Sequence, residues 1–194
     1  MFSFSTIPSV LLFLLLLPAP DPLTGAWAGE GMMKGEATEV VVIFTPEHQV
    51  AVWYVPATGA VMHTNGGLWM REGIRVTETV HFDSDRPARV GSTVSFDIAL
   101  TPDSLAIVGS PMQLTRVDAP REGGLTGAWE WVDGETGATT VRLMSATRFQ
   151  EITYRPETGV MEATSGGRYQ LNGGTYAETV LFTTADAAVA GPAK

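Results

Sequence analysis

The chain contains one sequence pattern twice, and this repeat constrains the fold more than any other feature. Residues 23–27 (LTGAW) return as residues 125–129. Farther along, identical residues recur 100 positions apart without a gap over nearly thirty positions. They include the pairs Tyr54/Tyr154, Pro56/Pro156, Thr64/Thr164, Gly66/Gly166, Gly67/Gly167, Glu78/Glu178, Val80/Val180 and Phe82/Phe182. Such a repeat indicates two copies of one structural unit.

The apolar pattern after residue 22 is typical of β-strands. Residues 39–44 and 49–55 are rich in β-branched and aromatic residues, and turn-forming residues bound both segments. The segments 65–67 (NGG) and 172–174 (NGG) predict turns, because Asn and Gly tolerate positive φ. No long window has the helical period of 3.6 residues. The pattern therefore predicts an all-β antiparallel meander that closes as a barrel or sandwich.

The two copies differ in length. The first has about eight strands, enough for a small closed barrel over residues 23–117, and residues 118–124 form a polar Pro/Gly-rich linker. The second, residues 125–194, has about five strands and lacks counterparts of residues 93–117. An open five-stranded meander leaves two strand edges and a half-covered apolar face. We expect it to pack against the first unit or against another copy of the chain, as a homodimer.

Charge and composition exclude several classes of function. The chain has 12 Lys and Arg against 21 Asp and Glu, a net charge of −9, which disfavours nucleic acid as a partner. It has no cysteine, so disulfides, thiol catalysis and thiolate metal sites are excluded. The three histidines have no metal-ligand spacing, and there is no phosphate-binding glycine loop or nucleophile elbow. We therefore predict no metal, no cofactor and no enzymatic activity.

The N-terminus predicts export. Residues 10–17 are continuously apolar, and the apolar segment ends at Pro18. A segment of about eleven residues suits the core of a signal peptide and is short for a membrane span. We place the signal peptide at residues 1–20 and predict a secreted or periplasmic protein without a membrane span once the leader is removed. Because residues 1–6 contain no Lys or Arg, an uncleaved anchor is the alternative.

Glu78 and Glu178 are the first candidate site residues. Alternation along residues 74–82 places Glu78 on the apolar face of its strand, together with Ile74, Val76, Val80 and Phe82. A carboxylate on an inward face must be paired, hydrogen-bonded or neutral. It could anchor a ligand or act as a general base. Alternatively it is structural and satisfied by a Tyr hydroxyl or an Arg, which its recurrence in both copies favours.

Aromatic residues are the second group of candidates. Trp53, Tyr54 and Trp69, with Tyr154 in the second copy, could form the walls of a ligand cavity. Alternatively these side chains fill the core, with Trp27 and Trp129 closing the base of each unit, since the interior of a small barrel can be filled by side chains alone.

The residues that recur resemble a known group of domains. The pattern L-x-G-x-W opening a first strand, a Gly-Gly segment followed by an aromatic residue, and T-x-E-T-V before the later strands is similar to bacterial secreted lipocalin-like domains. The resemblance covers residues 23–117 and part of residues 125–191. It implies an up-and-down calycin-type barrel whose interior can hold a small apolar molecule. The second copy departs from that pattern because it is incomplete.

Three functional hypotheses follow. The first is an exported, non-enzymatic lipocalin-like protein that binds a small apolar or amphipathic molecule, with Glu78 as the interior polar anchor. The second is a structural or interaction module that associates through the incomplete second repeat. The third is a barrel isomerase or cyclase that uses Glu78 as its base.

Overall fold

The computed structural model describes residues 20–121 and 124–185, which contain thirteen β-strands and one short 3-10 turn. The predicted signal peptide, apart from Pro20, and residues 186–194 lie outside this range. No helix among the described residues has the length and apolar character to cross a membrane.

The first eight strands form a closed antiparallel barrel. They are β1 (Gly25–Met33), β2 (Glu36–Phe44), β3 (His48–Val55), β4 (Ala60–Glu72), β5 (Arg75–Asp83), β6 (Thr93–Leu100), β7 (Ser104–Ile107) and β8 (Gln113–Asp118), with the 3-10 turn Pro87–Arg89 between β5 and β6. Each strand pairs with the next, and β8 returns to pair with β1. The predicted all-β up-and-down barrel is confirmed.

Five further strands form a second antiparallel meander. They are β9 (Gly127–Val132), β10 (Thr139–Met144), β11 (Arg148–Tyr154), β12 (Met161–Asn172) and β13 (Thr175–Thr183). The edge strand β13 joins the barrel through one parallel bridge, Thr183 to Ala60. Among the described residues, β9 has β10 as its only neighbour in the sheet. The second repeat is thus an open sheet of the predicted five strands.

Strands β2 and β3 are buried on both faces. Val40, Val42 and Phe44 of β2 point into the barrel, whereas Val41 and Ile43 point outward and pack against the second meander. A strand buried on both faces reads as a continuous apolar run rather than an alternating one. This packing explains why residues 40–44 contain no polar residue.

Two aromatic pairs join the repeats symmetrically. The Tyr54 ring packs on Phe182 with a centroid distance of 4.9 Å, and the Tyr154 ring packs on Phe82 at 5.4 Å. Tyr54 is the repeat equivalent of Tyr154, and Phe82 is the repeat equivalent of Phe182. Exchanging the two repeats therefore converts one aromatic pair into the other. The interface has the self-complementary form seen in two-fold homodimers.

Gln150 hydrogen-bonds both repeats at the centre of this interface. Its Nε2 donates to Thr64 Oγ1 and to Thr164 Oγ1, both at 3.0 Å. The two threonine hydroxyls are repeat equivalents, and each donates to a backbone carbonyl of its own repeat at 2.8 Å. One buried amide therefore satisfies a matching polar group from each copy.

Asp118 also connects the two repeats, which corrects its assignment to the linker. It is the last residue of β8, and its Oδ1 accepts a hydrogen bond from the Ala26 backbone N–H at 3.0 Å. Its Oδ2 accepts from the backbone N–H of Thr147 at 2.8 Å and from the hydroxyl of Ser145 at 2.8 Å. The first residue of the predicted linker is therefore held by hydrogen bonds to both repeats.

The prediction of a turn at residues 65–67 is wrong, although the matching prediction at residues 172–174 is confirmed. Residues 65–67 lie inside β4, and the register against β5 shifts between Gly66 and Gly67. A Cβ on Gly67 would overlap the carbonyl oxygen of Thr79, so glycine is needed there for close strand approach rather than for a turn.

The same bulge corrects the predicted inward face of residues 74–82. It leaves His81 without a partner on β4, so Phe82 changes face and joins the layer between the repeats. Ile74 is also outside the interior, with 63% of its surface exposed. Val76 and Glu78 keep the predicted orientation.

We predict that the two repeats unfold as one unit and that Ile152→Ala destabilises the whole chain. Ile152 is fully buried in the shared layer, and large-to-small substitutions at such sites cost about 2–5 kcal/mol. Urea unfolding followed by far-UV circular dichroism and by tryptophan fluorescence should give coincident transitions, both shifted by the substitution. The control Ile74→Ala, on an exposed side chain, should change stability by less than about 0.5 kcal/mol. Two separate transitions, of which Ile152→Ala moves only one, would contradict this.

Candidate functional site

The first barrel contains a cavity of about 210 Å³ that is partly open to solvent. Inward-facing side chains of β2 to β8 form its wall, because alternate residues of each strand point into a barrel. Thirteen lining residues are apolar: Leu23, Val42, Phe44, Ala51, Trp53, Val76, Val94, Phe96, Ile98, Leu105, Ile107, Met112 and Leu114. The four polar lining residues are Gln49, Asn65, Glu78 and Arg89. A mostly apolar pocket with a few polar groups is typical of small-molecule sites.

Two of the predicted site residues, Trp53 and Glu78, line this cavity. Trp69 lies in the barrel interior without lining it. Its Nε1 donates to the Thr45 carbonyl at 2.9 Å, and its ring meets Phe44 edge-on at a centroid distance of 5.0 Å. Trp69 therefore fills the core beside the cavity.

Tyr54 and Tyr154 do not line the cavity, which corrects their prediction as wall residues. Adjacent residues of a strand point to opposite faces, so Trp53 faces inward and Tyr54 faces the second meander. The Tyr54 hydroxyl donates to Glu39 Oε2 at 2.8 Å, and burial together with this carboxylate raises the pKa of Tyr54. Burial likewise raises the pKa of Tyr154 to about 12.

The repeated tryptophans have different surroundings in the two copies. Trp27 is fully buried, donates from Nε1 to the Leu23 carbonyl at 2.8 Å and stacks under the Arg116 guanidinium at 3.9 Å. Trp129 is 44% exposed on β9, so the expectation that it closes the base of a second unit is wrong. The difference arises because β9, unlike β1, has no second neighbouring strand in the described sheet.

Glu78 projects into the cavity without a hydrogen bond or ion pair from any described residue. Burial raises the pKa of its carboxyl to about 7, and the nearby positive charge of Arg89 opposes this shift. The carboxyl is therefore poised between its neutral and ionised forms near neutral pH. Either form can hydrogen-bond a molecule in the cavity.

Glu178, the equivalent of Glu78, is paired within its own repeat. It lies on the open face of the second meander and accepts hydrogen bonds from Arg142 and from the Tyr176 hydroxyl. The Arg142 guanidinium also contacts Glu151 at 3.2 Å. The structural interpretation, a carboxylate satisfied by Arg and Tyr, thus fits Glu178. Position 142 corresponds to Val42 in the barrel, so Glu78 lacks the partner that Glu178 has.

Sequence reasoning missed three polar residues of the cavity: Gln49, Asn65 and Arg89. Gln49 is 4% exposed, and no described residue hydrogen-bonds its side-chain amide. Asn65 Nδ2 donates to His63 Nε2 at 3.0 Å. A comparison of the two repeats could have found Gln49, because its equivalent in the second repeat is the apolar Phe149.

Polar residues cluster beside Arg89. Arg89 Nη1 donates to the buried carboxylate of Asp83 at 2.7 Å, and Asp83 Oδ1 in turn accepts from the backbone N–H of Arg86 at 2.9 Å. The neighbouring His63 is buried, which lowers its pKa. Among the described residues, no three His, Asp or Glu side chains converge as ligands for a metal ion. The cluster holds Arg89 in place at the cavity wall.

Comparison of the chain with protein-family models, with curated proteins and with solved structures found no match. The cavity and the differences between the two repeats are therefore the features of the molecule that bear on its function.

We predict that Glu78→Gln raises the free energy of unfolding, relative to the wild type, more at alkaline pH than at acidic pH. The folded pKa of about 7 exceeds the ordinary value of 4.5, so the folded state binds more protons between these pH values and loses stability as the pH rises through them. The substitution removes this loss, about 3 kcal/mol. The difference in unfolding free energy between variant and wild type, from urea titrations at pH values below 4.5 and above 7, should grow by that amount.

Met70→Leu, at an exposed position of β4 that carries no titrating group, is the control and should give the same difference at both pH values. A Glu78→Gln difference that does not change with pH would contradict the prediction.

Proposed function

We propose that the protein is an exported, non-enzymatic carrier that binds a small apolar or amphipathic molecule inside its first barrel. The observation that carries this proposal is the mostly apolar cavity lined by two polar side chains, Glu78 and Gln49, that no described residue hydrogen-bonds. A bound molecule would offer partners to both side chains.

Export and the lipocalin-like assignment belong to the proposal as well. The apolar segment at residues 10–17 has the length of a signal-peptide core, which supports a secreted or periplasmic location. A closed eight-stranded up-and-down barrel is the architecture that the resemblance to bacterial lipocalin-like domains implies. Carriers of this type hold their ligand by burial and need no cofactor.

Native mass spectrometry of the protein exported from a bacterial host tests the proposal. We expect a reproducible additional mass on the wild type and its loss in Ala51→Leu, which fills the cavity from β3. Ala99→Leu adds the same atoms at an exposed position of β6 and should keep the additional mass. If all three proteins lack additional mass, also after incubation with apolar compounds, the proposed carrier function is wrong.

The same experiment separates carriage from catalysis. A carrier should return its bound molecule chemically unchanged after prolonged incubation. Conversion of the molecule by wild type and not by Glu78→Gln would instead support the isomerase or cyclase hypothesis, in which Glu78 acts as the base.

A second function, association through the second meander, is favoured by a separate observation. The face of this sheet that corresponds to the barrel interior exposes large apolar side chains, 41–47% accessible: Trp129, Trp131, Leu171 and Tyr176. Large apolar side chains exposed on one sheet face often mark an interaction site. We propose a second copy of the chain as the partner.

We predict that Trp131→Ser weakens this self-association. Sedimentation equilibrium over a range of concentrations should show a dimer for the wild type and a shift towards monomer for the variant. Val132→Ser is the control, because the neighbouring exposed side chain points to the opposite face of β9. A wild type that stays monomeric at its highest soluble concentration would exclude this function.

A further inference from the structure

We propose that the molecule bound in the first barrel carries a protonated amine whose N–H groups donate to the Glu78 carboxylate. This inference rests on the proposed carrier function and specifies the chemical class of its ligand. It is carried by the charge balance of the cavity and by the pairing of the equivalent carboxylate in the second repeat.

When Glu78 is ionised, the cavity has one carboxylate that forms no ion pair with a described residue. Of its two charged lining residues, Arg89 is already bonded to Asp83, whose side chain is fully buried. Glu78 has no ion pair with any described residue. An ionised carboxylate in an apolar enclosure is costly unless a cation pairs with it. A ligand with a positive end would neutralise Glu78 where no described side chain does so.

The second repeat shows how this fold satisfies a carboxylate at the same position. There Glu178 is bonded to the Arg142 guanidinium, a cation that enters from the inward-equivalent face of β10. The equivalent of Arg142 in the barrel is Val42, which lines the cavity. A ligand ammonium above Val42 would therefore occupy the place that the arginine head group takes in the second repeat.

The charge of Glu78 favours an amine over an acid. The side-chain amides of Gln49 and Asn65 are uncharged, and each has a carbonyl oxygen that can accept a hydrogen bond from an ammonium group. A carboxylate ligand would place a second negative charge beside Glu78. Two like charges repel each other strongly in a low-dielectric site, so this arrangement is disfavoured. An alcohol could donate one hydrogen bond but would leave the charge of Glu78 uncompensated.

The volume of the cavity limits the apolar part of the ligand. An engineered apolar cavity of about 150 Å³ accommodates benzene. At about 210 Å³ the barrel has room for a single ring with a short side chain. Three compounds with the same ring and chain type are therefore suitable probes: 2-phenylethylamine, 2-phenylethanol and phenylacetate.

Isothermal titration calorimetry of the full chain, freed of co-purified ligand, tests the inference above pH 7, where Glu78 is ionised. We expect the amine to bind at least about tenfold more tightly than the alcohol, because hydrogen bonds to charged groups are the stronger ones. Glu78→Gln should weaken amine binding about tenfold or more and change alcohol binding less than about threefold.

Val42→Arg is a second variant, which remains informative if Glu78→Gln does not fold. It introduces at position 42 the cation that Glu178 has from Arg142, so it should abolish amine binding and leave the near-UV circular dichroism of the fold intact. Amine binding that persists in folded Val42→Arg would overturn the inference.

The outcomes distinguish the ligand class from the carrier function. If the alcohol or phenylacetate binds as tightly as the amine, or if Glu78→Gln weakens all three equally, the amine assignment is overturned and the carrier function stands. If none of the three binds and the exported protein carries no additional mass, the carrier function fails and the amine assignment fails with it.

Discussion

The layer of apolar side chains between the barrel and the second meander is the contact on which the rest of the structure depends. It contains twelve buried residues drawn from both repeats. An open five-stranded sheet needs a partner for its apolar face, and the barrel supplies one on the outside of β2 and β3. Each fully buried aliphatic or aromatic side chain contributes about 1.5–3 kcal/mol. The outer surface of the barrel therefore contributes to the stability of the whole chain.

The two copies diverge where a shared interface makes identical residues unnecessary. Thr64 and Thr164 keep the same hydroxyl and the same bond to a backbone carbonyl. A single Gln150 satisfies both of them, and its repeat equivalent is the apolar Val50. One amide at the centre of a two-fold arrangement serves both sides, so a second one would be a buried polar group without a partner. The interface thus explains an asymmetry between otherwise matching sequences.

The strand count, the closed barrel and the open second sheet could be predicted from the repeat and from the spacing of turns. The inward orientation of Glu78 followed from alternation along β5. The orientations of Trp53, Tyr54 and Phe82 did not, for two physical reasons. Strands buried on both faces give no alternation that separates inside from outside. In addition, the bulge beside Gly67 reverses the face of every later residue in β5, and its glycine pair resembles a turn in sequence.

Glu78 and Glu178 are repeat equivalents, but their surroundings differ because neighbouring positions carry different residues in the two repeats. On the open second sheet, a long cationic side chain at position 142 reaches the carboxylate while remaining partly in water. In the closed barrel, an arginine at position 42 would project into the enclosed space and occupy the volume that now forms the cavity. The shorter Val42 side chain leaves this volume free, and it provides no positive charge to pair with Glu78. The difference between Val42 and Arg142 thus creates the room for a ligand. The same difference leaves Glu78 without a cationic partner and so determines the charge that the ligand should carry.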